Sequence, residues 1–160
     1  MTVQRRKITA SGVKPVGPVQ WRFLYRWLYG VIDPIQGEHF MLEFSHLDGS
    51  CFERFLQRLS QAYPNELHVI QLDNAPAHIS GSIEIPENIR LLFQPPYSPE
   101  LNPIERVWLE LKQSLAWMHF ESLEQLQSHI SLWVQQLEPQ TICSLTQWDW
   151  LVDALCVARI

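Results

Sequence analysis

The chain has 160 residues, 46% of them hydrophobic and 18% charged, which is enough apolar content for one folded domain and argues against disorder. No apolar run reaches the ~20 residues of a membrane span, and MTVQRRKITASG lacks the apolar core of a signal peptide, so the expectation is a cytoplasmic protein with no membrane partner. A formal charge of −5 is not the basic footprint of most nucleic-acid binders, and Cys51, Cys143 and Cys156, odd in number and without CxxC spacing, point away from a disulfide frame or zinc knuckle.

Residues 1–20 mix basic residues with Gly and Pro and read as an irregular lead-in. Arg5, Arg6, Lys7, Lys14, Arg22 and Arg26 put six of the twelve basic residues at this end of the chain. WRFLYRWLYGVI, from Trp21 to Ile32, is rich in strand formers, and its alternating Trp21, Phe23, Tyr25 and Trp27 suggest a face packed in the core. DPIQG then makes a turn, and EHFMLEFS alternates as a hairpin partner should. The next segment carries Phe52, Phe55, Leu56, Leu59 and Tyr63 at helical spacing, with Asp48 or Ser50 as the cap and Pro64 as the stop. ELHVIQLD and NIRLLFQ are continuous apolar runs of the kind found in central parallel strands. NPIERVWLELKQSLAWM is the strongest helix, with Pro103 near its first turn and Ile104, Val107, Trp108, Leu111 and Leu115 on one stripe. ESLEQLQSHISLWVQQL is a second, and the apolar residues 138–160 read as a docked tail. The order predicts an α/β domain over residues 21–137 with a mixed sheet flanked by helices.

Two polar concentrations interrupt this pattern. HVIQLDNAPAH drives an apolar strand into Asp73, followed at once by Asn74 and His78. QPPYSPELNPIERVW uses four prolines to fix a loop before a helix with Glu105 in its first turn. Each has an ordinary explanation. Asp-Asn is good turn chemistry, and Asn102, Pro103 and Glu105 have the spacing of a capping box. Taken as a pair, they suggest more. Adjacent parallel strands bring their C-terminal ends to one edge, where ligands bind in open α/β sheets. Two carboxylates on that edge repel unless a cation lies between them. Mg²⁺ or Mn²⁺ suits such oxygen ligands, and two ions ~4 Å apart can serve phosphodiester chemistry.

DNAPAH followed by IRLLFQPPYSPELNPIERVW resembles the DDE transposases of the mariner-like superfamily, in its bacterial insertion-sequence branch. The resemblance extends over GVIDPIQGEHF and CFERFLQRLSQAYP to essentially the whole chain. It implies a ribonuclease H-like fold and metal-dependent cleavage and joining of DNA, with two Mg²⁺ or Mn²⁺ ions, transposon ends and target DNA as partners, and a homo-oligomer. By position, Asp73 matches the second metal-binding carboxylate and Glu105 the third; Asn74, His78, Asn102 and Pro103 match motif positions that hold them. Arg5, Arg6, Lys7, Arg106 and Lys112 are candidate phosphate contacts.

The resemblance also implies a first strand ending in the first catalytic Asp, upstream of RRKITASGVKPVGPVQW, which this chain begins too late to include; its neighbours would then have an unpaired edge. The other aspartates are poor substitutes, since Asp33 precedes a proline in a turn, Asp48 suits a helix cap, and Asp149 and Asp153 lie in the tail. Two other readings stay open: a non-catalytic transposase remnant or regulatory fragment, and a ribonuclease H-like nuclease or resolvase. His39, His46, His68, His119 and His129 form no ligand spacing and read as structural or surface residues, and Ser98 lacks a GxSxG turn.

Overall fold

The turn DPIQG is held by Asp33, whose Oδ1 accepts from the amides of Ile35 (2.7 Å) and Gln36 (3.1 Å), so this aspartate is occupied as a turn former. It joins β1 (Trp27–Ile32) to β2 (His39–Phe44) in an antiparallel hairpin running from Trp27↔Phe44 to Ile32↔His39. A computed structural model describes residues 10–13, 25–78 and 83–158 of the chain. The lead-in basic residues Arg5, Arg6 and Lys7, and Trp21 and Phe23 of the aromatic run, lie outside the described residues.

The strand begins at Trp27, and the expected aromatic core face is corrected at both positions described. Tyr25 is 66% exposed and Trp27 40% exposed. Tyr25 precedes the ladder and Trp27 is its outermost rung, where a strand has least cover. The inward face starts one repeat later, at the buried Tyr29.

Helix α1 (Gly49–Ala62) starts where Asp48 caps it, accepting from the Cys51 amide at 2.8 Å, and ends at Tyr63 before Pro64. Its apolar stripe, Phe52, Phe55, Leu56 and Leu59, is buried. Strands β3 (His68–Leu72) and β4 (Ile89–Phe93) then pair in parallel, His68 opposite Ile89 and Leu72 opposite Phe93. Asn88 fastens the entry of β4 to the end of α1, accepting from the Ser60 hydroxyl (2.7 Å) and donating to the Tyr63 and Glu66 carbonyls.

Among the described residues the sheet comes as two pairs, one antiparallel and one parallel. One core joins them. Tyr29 from the hairpin and Leu72 and Ile89 from the parallel pair share a single buried cluster with the stripe of α1. Each buried side chain of this size contributes ~1.5–3 kcal/mol. The opposite face of the hairpin meets α2 (Ile104–Ser114), where Trp108 reaches into the space that Gly30 leaves by having no side chain. Helices α3 (Leu123–Gln135), α4 (Pro139–Thr146) and α5 (Asp149–Ala158) complete the order, and the segment read as a tail is therefore a helical pair. Ile142 of α4 is fully buried against Val107 of α2, with Leu137, Ile32 and Met41 around them. Among the described residues no helix is long and apolar enough to cross a membrane.

Candidate metal centre at the strand ends

Asp73 is the first residue after β3, and its carboxylate is 62% exposed. The side chain is held in place by its neighbours. Oδ1 accepts from the Ala75 amide at 3.1 Å and lies 2.8 Å from Nδ1 of His78. His78 is itself fixed, because its ring packs on Phe52, in the first turns of α1, at 4.6 Å between centroids. Asn74 points the other way and donates to the Gln94 carbonyl at 2.7 Å, just past the end of β4. The backbone repeats that tie, with the Gln94 amide donating to Leu72 at 2.9 Å. Both neighbours of the carboxylate thus tie it to the rest of the domain, Asn74 to the end of β4 and His78 to α1.

The second carboxylate arrives through the proline loop. Its 3-10 turn, Pro99–Leu101, leads to Asn102 and the buried Pro103, whose φ of −62° is already helical, and α2 starts at the next residue. Glu105 sits exposed in that first turn. The capping-box alternative is corrected here: no side-chain hydrogen bond caps this helix, and its first bonds are made by backbone, the Glu105 amide to the Asn102 carbonyl and the Arg106 amide to Pro103. With the backbone doing the capping, the carboxylate of Glu105 has no structural task in the helix start. The same loop puts Tyr97 fully exposed at a left-handed φ of +61°, a conformation that costs a non-glycine residue ~1 kcal/mol or more.

Gln71, one rung before the end of β3, ties that strand to the proline loop. Its Nε2 donates to the Leu101 carbonyl at 2.8 Å. Gln71 and Gln94 escaped the sequence reading; the available signal was a polar residue inside or closing an otherwise apolar run. Gln94 is 6% exposed and its Nε2 is buried with no hydrogen-bond partner among the described residues. Trp148 was missed as well. The Arg106 guanidinium stands 5.9 Å from the centre of its indole, and Arg106 and Lys112 share a cleft with Asn102 and Glu105.

The donor set fits a hard divalent cation in part. Asp73 and Glu105 carry exposed carboxylate oxygens of the kind such a cation takes, and Oδ2 of Asp73 is left out of the bonds that hold Oδ1. Among the described residues no group of three or more His, Cys, Asp or Glu side chains comes together as a metal site. The other aspartates are occupied or distant in role: Asp33 in its turn, Asp48 as a cap, Asp149 and Asp153 on α5. The histidines are likewise structural or superficial. His39 meets the Val134 carbonyl, His46 the Ser45 hydroxyl, and His68 and His129 pack on Tyr63 and Phe120, while His119 is exposed. The three cysteines are free thiols.

The fold and the strand-end carboxylates define an α/β domain of the ribonuclease H-like class. The chain belongs to the DDE superfamily endonucleases, whose family model matches residues 1–127, and divalent-metal dependence is general to that family. A curated relative, the uncharacterized protein y4pE/y4sA of Sinorhizobium fredii (strain NBRC 101917 / NGR234), is 27% identical over 133 residues, which is 79% of this chain and 97% of that protein. Two solved structures are similar in fold. The Mos1 transposase paired-end complex with the left transposon end matches with a TM-score of 0.64 at 16% identity, over 90% of this chain and 47% of that one. The Mos1 strand transfer complex matches with a TM-score of 0.62 at 16% identity, over 90% and 46%. The chain thus spans about half the length of the Mos1 chains it matches.

Proposed function

We propose that this chain is the catalytic domain of a transposase of the bacterial insertion-sequence branch, cutting DNA at transposon ends and joining it to target DNA. The observation that carries the reading is the stitched pair of loops: Asp73 at the end of a parallel strand, Glu105 at the start of α2, and Gln71 and Asn74 bonding across between them. Asp73 and Glu105 hold Mg²⁺ or Mn²⁺, with two ions in the complete centre. A divalent ion held there would supply Lewis acidity for activating a water or 3′-hydroxyl and for stabilising the departing oxygen.

The chain's own residues position. His78 fixes the rotation of the Asp73 carboxylate through Oδ1, and Asn74 locks its backbone to β4. Asn102 and Pro103 set where α2 begins and hence where Glu105 stands. Arg106 and Lys112, and in the lead-in Arg5, Arg6 and Lys7, contact phosphates and offset the net negative charge. The domain extends over residues 21–137, works in the cytoplasm and acts as a homo-oligomer that brings two ends together.

The test is Mn²⁺ binding to the full chain by electron paramagnetic resonance, with Asp73→Asn and Glu105→Gln beside the wild type. Each variant is expected to lose tenfold or more in affinity with an unchanged circular dichroism spectrum. Any nicking of supercoiled plasmid in Mn²⁺ should fall with them. Wild-type affinity in both variants would remove the assignment.

A further inference from the structure

A cleft of about 320 Å³ opens beside Glu105; its walls include Glu100, Glu105, Arg106, Leu109, Lys112 and Trp148, two carboxylates as well as two cations. Glu105, Leu109 and Lys112 are spaced i, i+4 and i+7 and form one stripe along α2. Trp148 faces that stripe from the link between α4 and α5, with the Arg106 guanidinium 5.9 Å from its ring centre. The ring of Trp150 lies 5.6 Å from that of Trp148, tilted by 35° and itself 48% exposed. The two indoles are not what docks this end of the chain. Leu151, at 6% exposure, and Ile142, at 0%, supply the buried contacts, so Trp150 is left largely in water and Trp148 half-buried at the cleft wall. Indole faces beside two cations suit a nucleobase with its phosphate, because every base has a π-face to stack and every phosphate a charge to neutralise.

We infer that this cleft holds one unpaired nucleotide of a DNA strand, its base stacked on Trp148 and its phosphate on Arg106 and Lys112, next to the phosphate presented at Glu105. The inference rests on the reading of Glu105 as part of a DNA-cleaving centre and adds to it the class of DNA the centre takes: a frayed or single-stranded end. Trp150 extends the platform to the following base.

The test uses the full chain in EDTA, so that metal binding plays no part. Fluorescence anisotropy with a labelled oligodeoxythymidylate of about ten nucleotides is compared with a blunt duplex of the same length. Trp148→Ala is expected to weaken single-strand binding about tenfold, within the range that loss of one base–aromatic stack produces, and to change duplex binding less than twofold. Trp148→Phe should retain most of the affinity. Equal losses on both DNAs, or none on the single strand, overturn the inference. Where Trp148→Ala fails to fold, the wild type decides: an oligonucleotide ending in 5-iododeoxyuridine, irradiated on the protein, should attach to Trp148 or Trp150, and attachment only elsewhere overturns it. Attachment at Trp148 together with failure of the Mn²⁺ test leaves the cleft standing without the metal centre; the reverse pair of results leaves the metal centre and removes the cleft.

Discussion

Gly37 closes the hairpin turn, and replacing it with alanine should be among the most damaging of small substitutions in this domain. Its φ is +74°, where a side chain on Cβ costs ~1 kcal/mol or somewhat more. Steric contact costs more than this. A Cβ at Gly37 falls 2.2 Å from the Pro139 carbonyl oxygen and 2.7 Å from the Pro139 carbonyl carbon, against a floor of 3.0 Å for real Cβ contacts. What it meets is backbone, at the first turn of α4, and cannot swing aside. The turn and α4 must separate. That strains the bonds from Gln147 and Cys143 to the Ile35 carbonyl and loosens Ile142 against Val107. Overpacking of this kind costs ~1–3 kcal/mol, so the expected total is about 3 kcal/mol, or roughly 10 °C in Tm for a chain of this size. Thermal melts followed by circular dichroism measure it, with Gly12→Ala as the control. Gly12 has a φ of +81° but nothing within 4 Å of its would-be Cβ, so it carries the conformational cost alone. A Gly37→Ala melt within 2 °C of wild type, or equal to that of Gly12→Ala, would refute the clash with Pro139.

Three further outcomes follow from the same geometry. Leu56→Ala, at a fully buried position of α1, should cost about 3–4 kcal/mol in urea denaturation. Because one core joins both strand pairs, amide exchange should quicken in β1–β2 and β3–β4 together; protection lost from one pair alone would contradict the shared core. His78→Ala should change stability by less than about 1.5 kcal/mol, since its partner carboxylate is largely exposed and the Phe52 contact is a single aromatic pair. Its Mn²⁺ affinity should nonetheless drop ~10–100-fold, as for other groups that orient a ligand, and unchanged affinity would deny it that role. Glu43 on β2 has its carboxyl pushed above the usual range by burial, which outweighs the opposing effects of Arg26 and the Ser131 hydroxyl. A carboxyl whose folded value is raised contributes stability at low pH that is lost as pH rises through that value. Glu43→Gln should therefore be more stable than wild type at pH 7, with the gap closing as pH falls through the raised folded value toward 4.5, the ordinary glutamate value. A gap that widens toward acid would reverse the sign.

Local chemistry made most of the elements readable in advance. Asp48 before a run of helical spacing, Pro64 after it, and Asp33 in front of Pro34 each act within three residues, and each is found doing what its type and position suggest. What resisted reading is non-local. The division of the sheet into two pairs depends on which strand edges find partners, and no periodicity encodes that. Trp27 alternates in phase with Tyr29, yet only Tyr29 is covered, because cover depends on where the helices lie. The last helices were hidden for a related reason: Pro139 begins one and a Gln-Trp pair separates it from the next, so an apolar tail gave no single helical stripe. Trp148 stands beside Arg106 only through the packing of Ile142 on Val107, a contact between distant parts of the chain.

Two ordinary explanations stood against the candidate site in the sequence, and one of them fails in the structure. Had the Asn102 side chain bonded the Glu105 amide and Glu105 bonded back, the motif would be accounted for as a helix start, and nothing further would be needed. The amide bonds instead to the Asn102 carbonyl, and the exposed carboxylate is left over. Asp73 differs in kind. Its turn bond to Ala75 exists, so turn chemistry does explain part of it. That explanation does not extend to His78, which lies 2.8 Å from the same oxygen while stacking on a buried phenylalanine of another element. A turn closes with the backbone bond alone; a histidine braced against the core constrains the rotation of a carboxylate, which matters when that carboxylate must meet something outside the protein. Gln71 ties the strand that ends at Asp73 to the loop that precedes Glu105, through its bond to the Leu101 carbonyl. A metal centre built on both carboxylates predicts weaker Mn²⁺ binding in Asp73→Asn and in Glu105→Gln alike, and a change in only one of them would rule it out.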